Sequence, residues 1–338
     1  MNAMRIALIG LGDVGRAYLE ALQSDRQFEV AAVSDTSDER LRGLADSLDA
    51  KIYPDCRSLV VAQTRDPVDA LFVALPPHQA LDLLPPAAER GLSLFCHAPM
   101  GRSVEELRHV RDIFSGMSRP AVLSERWSAG LDTGAPADWC DLIGRLFSMC
   151  ATVASTSTGV QWRGHRDRAG GGALLYDGYE ALHAMVSVAG LPEAVSAECS
   201  LTARPGIPAT RDTEDAAALT LRFARDIVGS LAVCRNQVDA AWTISLSGCD
   251  GSAAVSPDGM VIRRLDAEEP LSLSRFGGDG LAADVARFGE RCRRHCDDTS
   301  FKTDLTPHMH TLATIEAAYL SARTGTPEAP KQFVQTYS

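Results

Sequence analysis

Tyr176, Glu180 and His183 follow the triplet Gly170-Gly171-Gly172 at spacings i, i+4 and i+7. In a helix that spacing puts all three on one face, with Leu174, Leu182, Met185 and Val186 on the other. A carboxyl or imidazole tuned near neutral pH can take the proton of an alcohol or give one to a carbonyl or imine. A tyrosine, with an ordinary pKa near ~10, is better as a hydrogen-bond donor than as a base. The pattern reads as the lining of a cavity, or else as a solvated face. His97, directly after the strand-like run Ser93 to Cys96, is a further acid/base candidate. Just before the triplet lie Trp162, Arg163, His165, Arg166 and Arg168. An arginine fork suits a carboxylate or phosphate, so this stretch reads as contacts to an anionic substrate or as a solvated basic loop offset by Asp167.

Near the N-terminus the chain carries a second kind of chemistry. The apolar run Ile6 to Ile9 meets Gly10, Gly12 and Gly15, then a helical pattern over about 13–22, then a second apolar run, Phe28 to Val33, ending at Asp35. This strand–turn–helix–strand order is what a G-x-G-x-x-G match requires before it means dinucleotide binding. Gly10 permits the tight turn, Gly12 lets backbone approach a pyrophosphate, and Gly15 lets helix and strand pack closely. The helix N-terminus offers N–H groups to the phosphates. Asp35 can accept from a ribose diol and repel a 2′-phosphate, which favours NAD; Arg40 and Arg42, just downstream, keep NADP open.

These elements must be positioned by a fold of two domains, expected over residues 1–124 and 125–338 of the 338-residue chain. To Ser124, strands alternate with helices, the pattern of a doubly wound parallel sheet with ligands beyond its strand C-termini. Thr36-x-x-Glu39 and Ser103-x-x-Glu106 are capping boxes, and Pro85 and Pro86 split or kink the helix predicted over 77–90. After Glu125, longer strand-like runs (194–203, 216–223, 227–234, 241–247, 253–255) succeed one another without helices. They predict an α+β domain with a large, mostly antiparallel open sheet. Two helices, about 280–295 and 307–323, close the chain.

Composition narrows the function. A net charge of −11 without long runs of one sign argues against nucleic acid or anionic membrane as partner. No apolar stretch approaches the ~20 residues that span a bilayer, and MNAMRIALIG leads straight into a strand rather than a signal peptide. Nine scattered cysteines fit reduced thiols in a cytoplasm. Glu180-x-x-His183 has the spacing of carboxylate-bridged metal sites, but without a second such pair no metal is expected. Cys292 and Cys296 beside His295 read as the end of an amphipathic helix.

With these residues in place, the chain resembles the Gfo/Idh/MocA family of nicotinamide-dependent oxidoreductases over nearly its whole length. The resemblance is carried by GLGDVG, by VDALFVALPPH at 68–78, by FCHAPMGRSVEEL at 95–107, by GGGALLYDGYEALH at 170–183, and by Glu214-Asp215 ahead of a sheet strand. It implies a Rossmann domain, a C-terminal α/β domain, and subunit contact through the open sheet, hence a homodimer or homotetramer. It also implies cofactor contacts from Gly10, Gly12, Asp13, Val14, Gly15, Asp35, Leu75, Pro76, His78, His97 and Pro99, and substrate contacts from Trp162, Arg163 and Asp177. The departures fall on the chemistry. The family's Glu-Lys-Pro is His97-Ala98-Pro99 here, and Ala98 cannot replace the usual proton-relay lysine. Its aspartate and catalytic histidine fall on Tyr176 and Glu180. His183 stands where aspartate or histidine is common. Its Thr-Pro is Leu75-Pro76, and a nearby histidine is Ala80.

The sequence therefore leads to an NAD(P)-dependent dehydrogenase or reductase acting on a small polar, possibly anionic, carbonyl, imine or alcohol. Its proton-carrying residues would be altered: Tyr176, Glu180, His183 and His97. Two alternatives are a non-catalytic nicotinamide-binding sensor or partner subunit, and a lyase or hydrolase that recycles a tightly held NAD.

Overall fold

The computed structural model describes residues 3–45, 48–62, 67–126, 139–158, 161–202, 210–273, 280–295 and 303–335. These form two compact units, the first from residues 1–101, 106–124 and 281–305, the second from 102–105, 125–280 and 306–338.

The first unit is built on a parallel sheet of β1 (Met4–Ile9), β2 (Phe28–Ser34), β3 (Lys51–Tyr53), β4 (Ala70–Val73), β5 (Ser93–Cys96) and β6 (Ala121–Leu123). Its order is β3-β2-β1-β4-β5-β6, and every neighbouring pair is parallel. β4 and β5 are buried along their whole length, which is why they read as continuous apolar runs rather than alternating ones. Helix α1 (Asp13–Ser24) packs Tyr18, Leu19 and Leu22 inward. The region around Pro85 and Pro86 is broken as expected, into Pro77–Ala80, a 3-10 turn at Leu81–Leu83, and Leu84–Glu89.

The helix Leu281–His295, assigned to the second domain by the sequence division, packs with the first unit instead. The reason lies in one stripe. Leu281, Val285, Phe288 and Cys292 recur at helical spacing and are buried in the core around Tyr18, Phe28, Phe72 and Phe95. Phe288 meets Phe72 and Phe95 edge-on at centroid distances of 5.2 and 5.6 Å, contacts worth roughly 0.5–1.5 kcal/mol each beyond simple burial. Cys296 lies outside the described residues.

The second unit holds an eight-stranded sheet: β7 (Leu146–Ala154), β8 (Ala194–Ser200), β9 (Ala216–Arg222), β10 (Val228–Cys234), β11 (Ala241–Gly248), β12 (Gly251–Ser256), β13 (Gly259–Arg264) and β14 (Leu271–Leu273). The order is β14-β13-β12-β11-β7-β10-β9-β8. All pairs are antiparallel except β7 with β10. That exception follows from connectivity. β7 leads into the helical layer before β8, and a connection of that length lets it pair parallel in mid-sheet. Burial alternates along β9 and β10. Leu219, Leu221, Leu231 and Val233 face the core, while Ala218, Thr220, Ser230 and Ala232 are exposed. Over the buried side lie α2 (Ala173–Tyr176), α3 (Tyr179–Ala189) and, after α4 (Leu281–His295), the long α5 (Thr306–Thr324).

Candidate functional site

Functional residues fall in both units, and each set is built by its own unit. In the first, the β1–α1 turn has little freedom. Gly10 sits at φ +90°, and a Cβ there would lie 2.5 Å from the Ala74 carbonyl oxygen. A Cβ on Gly15 would lie 1.8 Å from the Gly10 oxygen, whereas one on Gly12 would meet nothing within 4 Å. The turn is thus closed by Gly10 and Gly15 and open above Gly12. Gly12 is also the N-cap of α1, with no side-chain cap on that end, so the N–H groups of Asp13, Val14 and Gly15 form an uncapped helix start of the kind that binds phosphate.

Asp35, 3% exposed, follows β2. Its Oδ2 accepts from the Leu11 N–H at 2.6 Å and its Oδ1 from the Ser37 N–H at 2.7 Å. Each oxygen thus holds one backbone N–H, and a carboxylate oxygen offers two acceptor positions; the second on each faces Arg40. The Arg40 guanidinium lies 3.4 Å from both oxygens, and Arg42 donates to the Asp38 carbonyl oxygen. Both cations that kept NADP open are thus engaged with their own turn.

Leu75, Pro76 and His78 are half-buried at the end of β4. After β5, the His97 Nδ1 lies 3.3 Å from the Tyr18 hydroxyl and 3.4 Å from Ser124 Oγ. Ala98 is 2% exposed, its N–H donates to Ser124 Oγ at 2.8 Å, and its bond to Pro99 is cis. A buried methyl therefore stands between His97 and Pro99.

In the second unit the glycine triplet is fixed by what surrounds it. A Cβ on Gly171 would strike the Tyr319 hydroxyl at 2.1 Å, and one on Gly172 the Glu214 carbonyl oxygen at 2.2 Å. The Glu214 carboxylate, itself buried, accepts from the Gly172 N–H at 2.9 Å, the Leu174 N–H at 3.0 Å and the Tyr319 hydroxyl at 2.8 Å. It caps α2 from outside the helix, forty residues away in the chain, beyond the reach of any local spacing. Beside it, Asp215 binds Arg211 and Arg235. Burial alone would raise the Asp215 carboxyl, but the two guanidiniums outweigh it and hold it below its ordinary value.

The single helical face predicted for Tyr176, Glu180 and His183 is interrupted. α2 ends at Tyr176 and α3 begins at Tyr179. Asp177 N–H and Gly178 N–H both donate to the Ala173 carbonyl oxygen at 2.9 Å. The second of these is an i→i−5 bond, the wider turn often seen at functional positions, so the 3.6-residue repeat does not run unbroken from Tyr176 to Glu180 and His183. The Tyr176 hydroxyl donates to the Ala169 carbonyl oxygen at 2.6 Å. Its ring meets Trp162 edge-on at 5.0 Å, and the Arg163 guanidinium lies over both rings, 5.4 and 5.6 Å from their centroids. Asp177 accepts from Ser155 Oγ at 2.8 Å and Ser157 Oγ at 3.1 Å. Trp162, Arg163 and Tyr176 are thus brought together, with Asp177 anchored to the strand end behind them. Arg166 is drawn off to Asp212, Glu214 and the Tyr319 ring.

Glu180 and His183 are not on a solvated face: they are 7% and 1% exposed. His183 belongs to a stack that local sequence patterns do not reveal. Its ring lies 4.1 Å from that of His308 with planes 13° apart, and 5.9 Å from that of Tyr179. The Tyr179 hydroxyl bonds His308 Nδ1 at 2.9 Å, Thr311 Oγ1 bonds His183 Nδ1 at 3.1 Å, and His308 Nε2 lies 3.7 Å from Glu125 Oε1. Tyr179 and His183 are i, i+4 neighbours, a visible signal; His308 and Glu125 come from distant segments. Burial, with the charges of Glu180 and Glu125 adding, raises Tyr179 well above its usual range. Burial lowers His183 well below its usual range; His308 adds to that shift and Glu125 opposes it.

Glu125, His183 and His308 bring one ligand atom each within 4.8 Å of one another, the donor types of a catalytic zinc site. Imidazole lone pairs lie in the ring planes, however, and two planes 13° from parallel in a face-to-face stack do not point at one ion. The arrangement as it stands suits a stacked, hydrogen-bonded pair.

Comparison with known proteins gives the context. Residues 4–122 match the model described as oxidoreductase family, NAD-binding Rossmann fold (GFO_IDH_MocA), and residues 141–254 the GFO/IDH/MocA C-terminal domain. The rhizopine catabolism protein MocA of Rhizobium meliloti is 29% identical over 113 residues, 33% of this chain and 34% of that protein. The myo-inositol 2-dehydrogenase of Thermotoga maritima is 31% identical over 126 residues, 34% of this chain and 36% of that one. The match thus spans about a third of the length of these curated relatives. A levoglucosan dehydrogenase solved with NADH and levoglucosan superposes with a TM-score of 0.80 at 18% identity, over 97% of this chain and 99% of that one.

Proposed function

The chain belongs to the Gfo/Idh/MocA family of oxidoreductases with an NAD-binding Rossmann fold, and on that premise we propose that it moves a hydride between NAD and a small polar carbonyl, imine or alcohol without the usual lysine. One observation carries the reading. The dinucleotide cradle is sterically intact, closed by Gly10 and Gly15 and open over Gly12, while the lysine position is a buried methyl, Ala98. When bound, NAD supplies the hydride acceptor or donor. The pyrophosphate falls to the backbone of Gly12, Asp13, Val14 and Gly15, the ribose diol to Asp35, and the flanks to Leu75, Pro76, His78, His97 and Pro99.

Proton movement then falls to the second unit. Glu180 and His183, adjacent on α3 and shielded from water, are the acid/base candidates, and His97 is the nearest substitute within the cofactor unit. Burial tunes a carboxyl upward toward neutral pH, whereas it takes the His183 imidazole below its ordinary range. Trp162, Tyr176 and Arg163 form a surface of two rings and a planar cation, suited to a small ring or carbonyl compound bearing a carboxylate or phosphate. Tyr176 serves there as wall rather than as base, since its hydroxyl is bonded to Ala169. A second copy of the chain would dock on the exposed sheet face, where Thr152, Ala218, Ala232 and Ala241 line a groove of about 650 Å³. No described helix is long and apolar enough to cross a membrane, and the free cysteines suit a reducing cytoplasm.

The test is a fluorescence titration of the purified protein with NADH and, separately, NADPH, followed by a turnover screen over ketones, imines, polyols and sugar acids. NADH is expected to bind at least tenfold more tightly, because Arg40 is committed to Asp35. Binding of neither cofactor would overturn the reading. Tight NADH binding with no turnover on any substrate would shift it to the non-catalytic sensor, which the loss of the lysine favours.

A further inference from the structure

The stack around His183 determines which nitrogen of that ring can act. Thr311 Oγ1 donates its one proton to the Pro307 carbonyl oxygen at 2.9 Å. Toward His183 Nδ1, 3.1 Å away, it can therefore only accept, so Nδ1 carries the imidazole proton and Nε2 is left with its lone pair. His308 stacks on this ring, 4.1 Å away between centroids. Glu125 faces His308 Nε2 at 3.7 Å, and a carboxylate can only accept, which favours the proton on Nε2 and leaves His308 Nδ1 to accept from the Tyr179 hydroxyl at 2.9 Å. The two rings thus hold opposite tautomers. A third proton on this pair would sit in a water-poor stack, beside a second imidazole, with Glu125 facing His308 as the compensating charge. The ionisable groups around His183 are Tyr179 and Glu180 from its own helix, His308 from α5, and Glu125 from the segment after β6.

We propose that His183 is a specificity-determining hydrogen-bond acceptor rather than the proton carrier. Thr311 fixes its tautomer, His308, packed with Tyr179 and Glu125, fixes its ring plane, and burial, with His308 adding, keeps it neutral. The proton of the reaction then belongs to Glu180, one turn away. Nε2 of His183 orients a donor on the substrate, an O–H or N–H, and disfavours an analogue that presents only acceptors there, because the bare lone pair would then be buried without a donor. His308, Tyr179 and Thr311 are positioning residues. This rests on the hydride-transfer reading above for its catalytic consequence, but the tautomer itself does not.

The test is long-range proton–nitrogen NMR on protein labelled with 15N-histidine, from pH 5 to 8. The His183 signals are identified by their loss in His183→Asn. NADH titration of each variant is run alongside, so that failure of the cofactor reading is seen separately. The expected native spectrum shows His183 protonated on Nδ1, bare on Nε2, and neutral well below the ordinary histidine value of 6.5. His308→Gln should let His183 take a proton at higher pH than in the native protein, and Glu125→Gln at lower pH, so isosteric changes move it in opposite directions. Thr311→Val should release the tautomer. A His183 that carries its proton on Nε2, titrates near 6.5, or is moved by neither variant would overturn the proposal. So would a cobalt(II) titration that shifts His183 and His308 together at stoichiometric metal, since that outcome requires a convergent site.

Discussion

The glycine loop after β1 and the glycine triplet before α2 are both written in the same residue, yet they answer different demands. In the loop, Gly12 has no atom within 4 Å of where a Cβ would stand. That space is left over by the protein, and a ligand can use it. In the triplet, Gly171 and Gly172 have Tyr319 and Glu214 within 2.2 Å of theirs; the protein itself has filled the space. A glycine motif can thus mark room for a ligand or room for the chain's own side chains. The first unit keeps the ligand kind, and the second uses its glycines to aim a short helix.

The largest effects should separate the two kinds. Gly172→Ala puts a methyl against backbone that cannot step aside, and should destabilise the second unit by roughly 3 kcal/mol, at the upper end of overpacking costs. Chemical denaturation would register it as a lowered midpoint. Gly12→Ala costs the fold about 1 kcal/mol or less, the difference between glycine and alanine as helix N-cap. It should nevertheless weaken NADH binding tenfold or more, about 1.4 kcal/mol, because its methyl enters the space a pyrophosphate needs. If Gly12→Ala bound NADH normally, the open space would not be the cofactor's, and the contrast between the motifs would collapse to packing in both.

An effect on the fold smaller than that of Gly172→Ala sharpens the second half of the contrast. Glu214→Gln keeps the shape of the side chain that caps α2, but replaces one acceptor oxygen by an amide donor. Three donors, the Gly172 and Leu174 N–H groups and the Tyr319 hydroxyl, now share one carboxylate. Losing its charge should cost about 2 kcal/mol, in the range of hydrogen bonds to charged groups. It should leave NADH affinity unchanged, since Glu214 belongs to the second unit. Thermal unfolding with and without NADH separates the two readouts.

How much of this was legible in the sequence follows the same division. The cofactor half depends on residues close together in the chain: an apolar run, three glycines, a helix and an aspartate. Local spacing was enough to put Gly10, Gly12 and Gly15 in the turn between β1 and α1 and Asp35 just after β2, and the break at Pro85–Pro86 follows from backbone chemistry alone. In the second half, the strands were readable from alternation, but the parallel pairing of β7 with β10 was not, because pairing partners are set by connectivity. The wide turn at Asp177–Gly178 was invisible too: a helical repeat counts residues and assumes 3.6 per turn throughout, so Tyr176 was placed in line with Glu180. The partners of His183 were out of reach for a different reason. His308 and Thr311 lie more than a hundred residues downstream, and no local period connects them. The return of α4 to the first unit belongs in the same class: its stripe was visible as amphipathic, but not the core it would enter.

The smallest effect is in the pH dependence of stability, and it distinguishes the units by where it appears. His183 is pushed below its ordinary value of 6.5 by burial first, with His308 adding and Glu125 opposing. Below pH 6.5 the unfolded chain therefore binds a proton that the folded chain refuses. Stability is complete above 6.5 and falls as the pH drops below it, with a limiting slope near 1.4 kcal/mol per pH unit for one group. Asp215 is also held below its ordinary value, by Arg211 and Arg235 against the opposing effect of burial, so its contribution is lost only as the pH falls below the ordinary carboxylate value of 3.8. Replacing His183 by Asn should flatten the curve between about pH 6.5 and 5 and leave the more acidic limb in place, while Asp215→Asn should do the reverse at a cost in stability at neutral pH. If His183→Asn left the upper limb unchanged, His183 would be gaining its proton in the folded state as easily as in the unfolded one. The stack would then be open to water, and the second unit would have kept a solvated histidine where its packing indicates a sealed one.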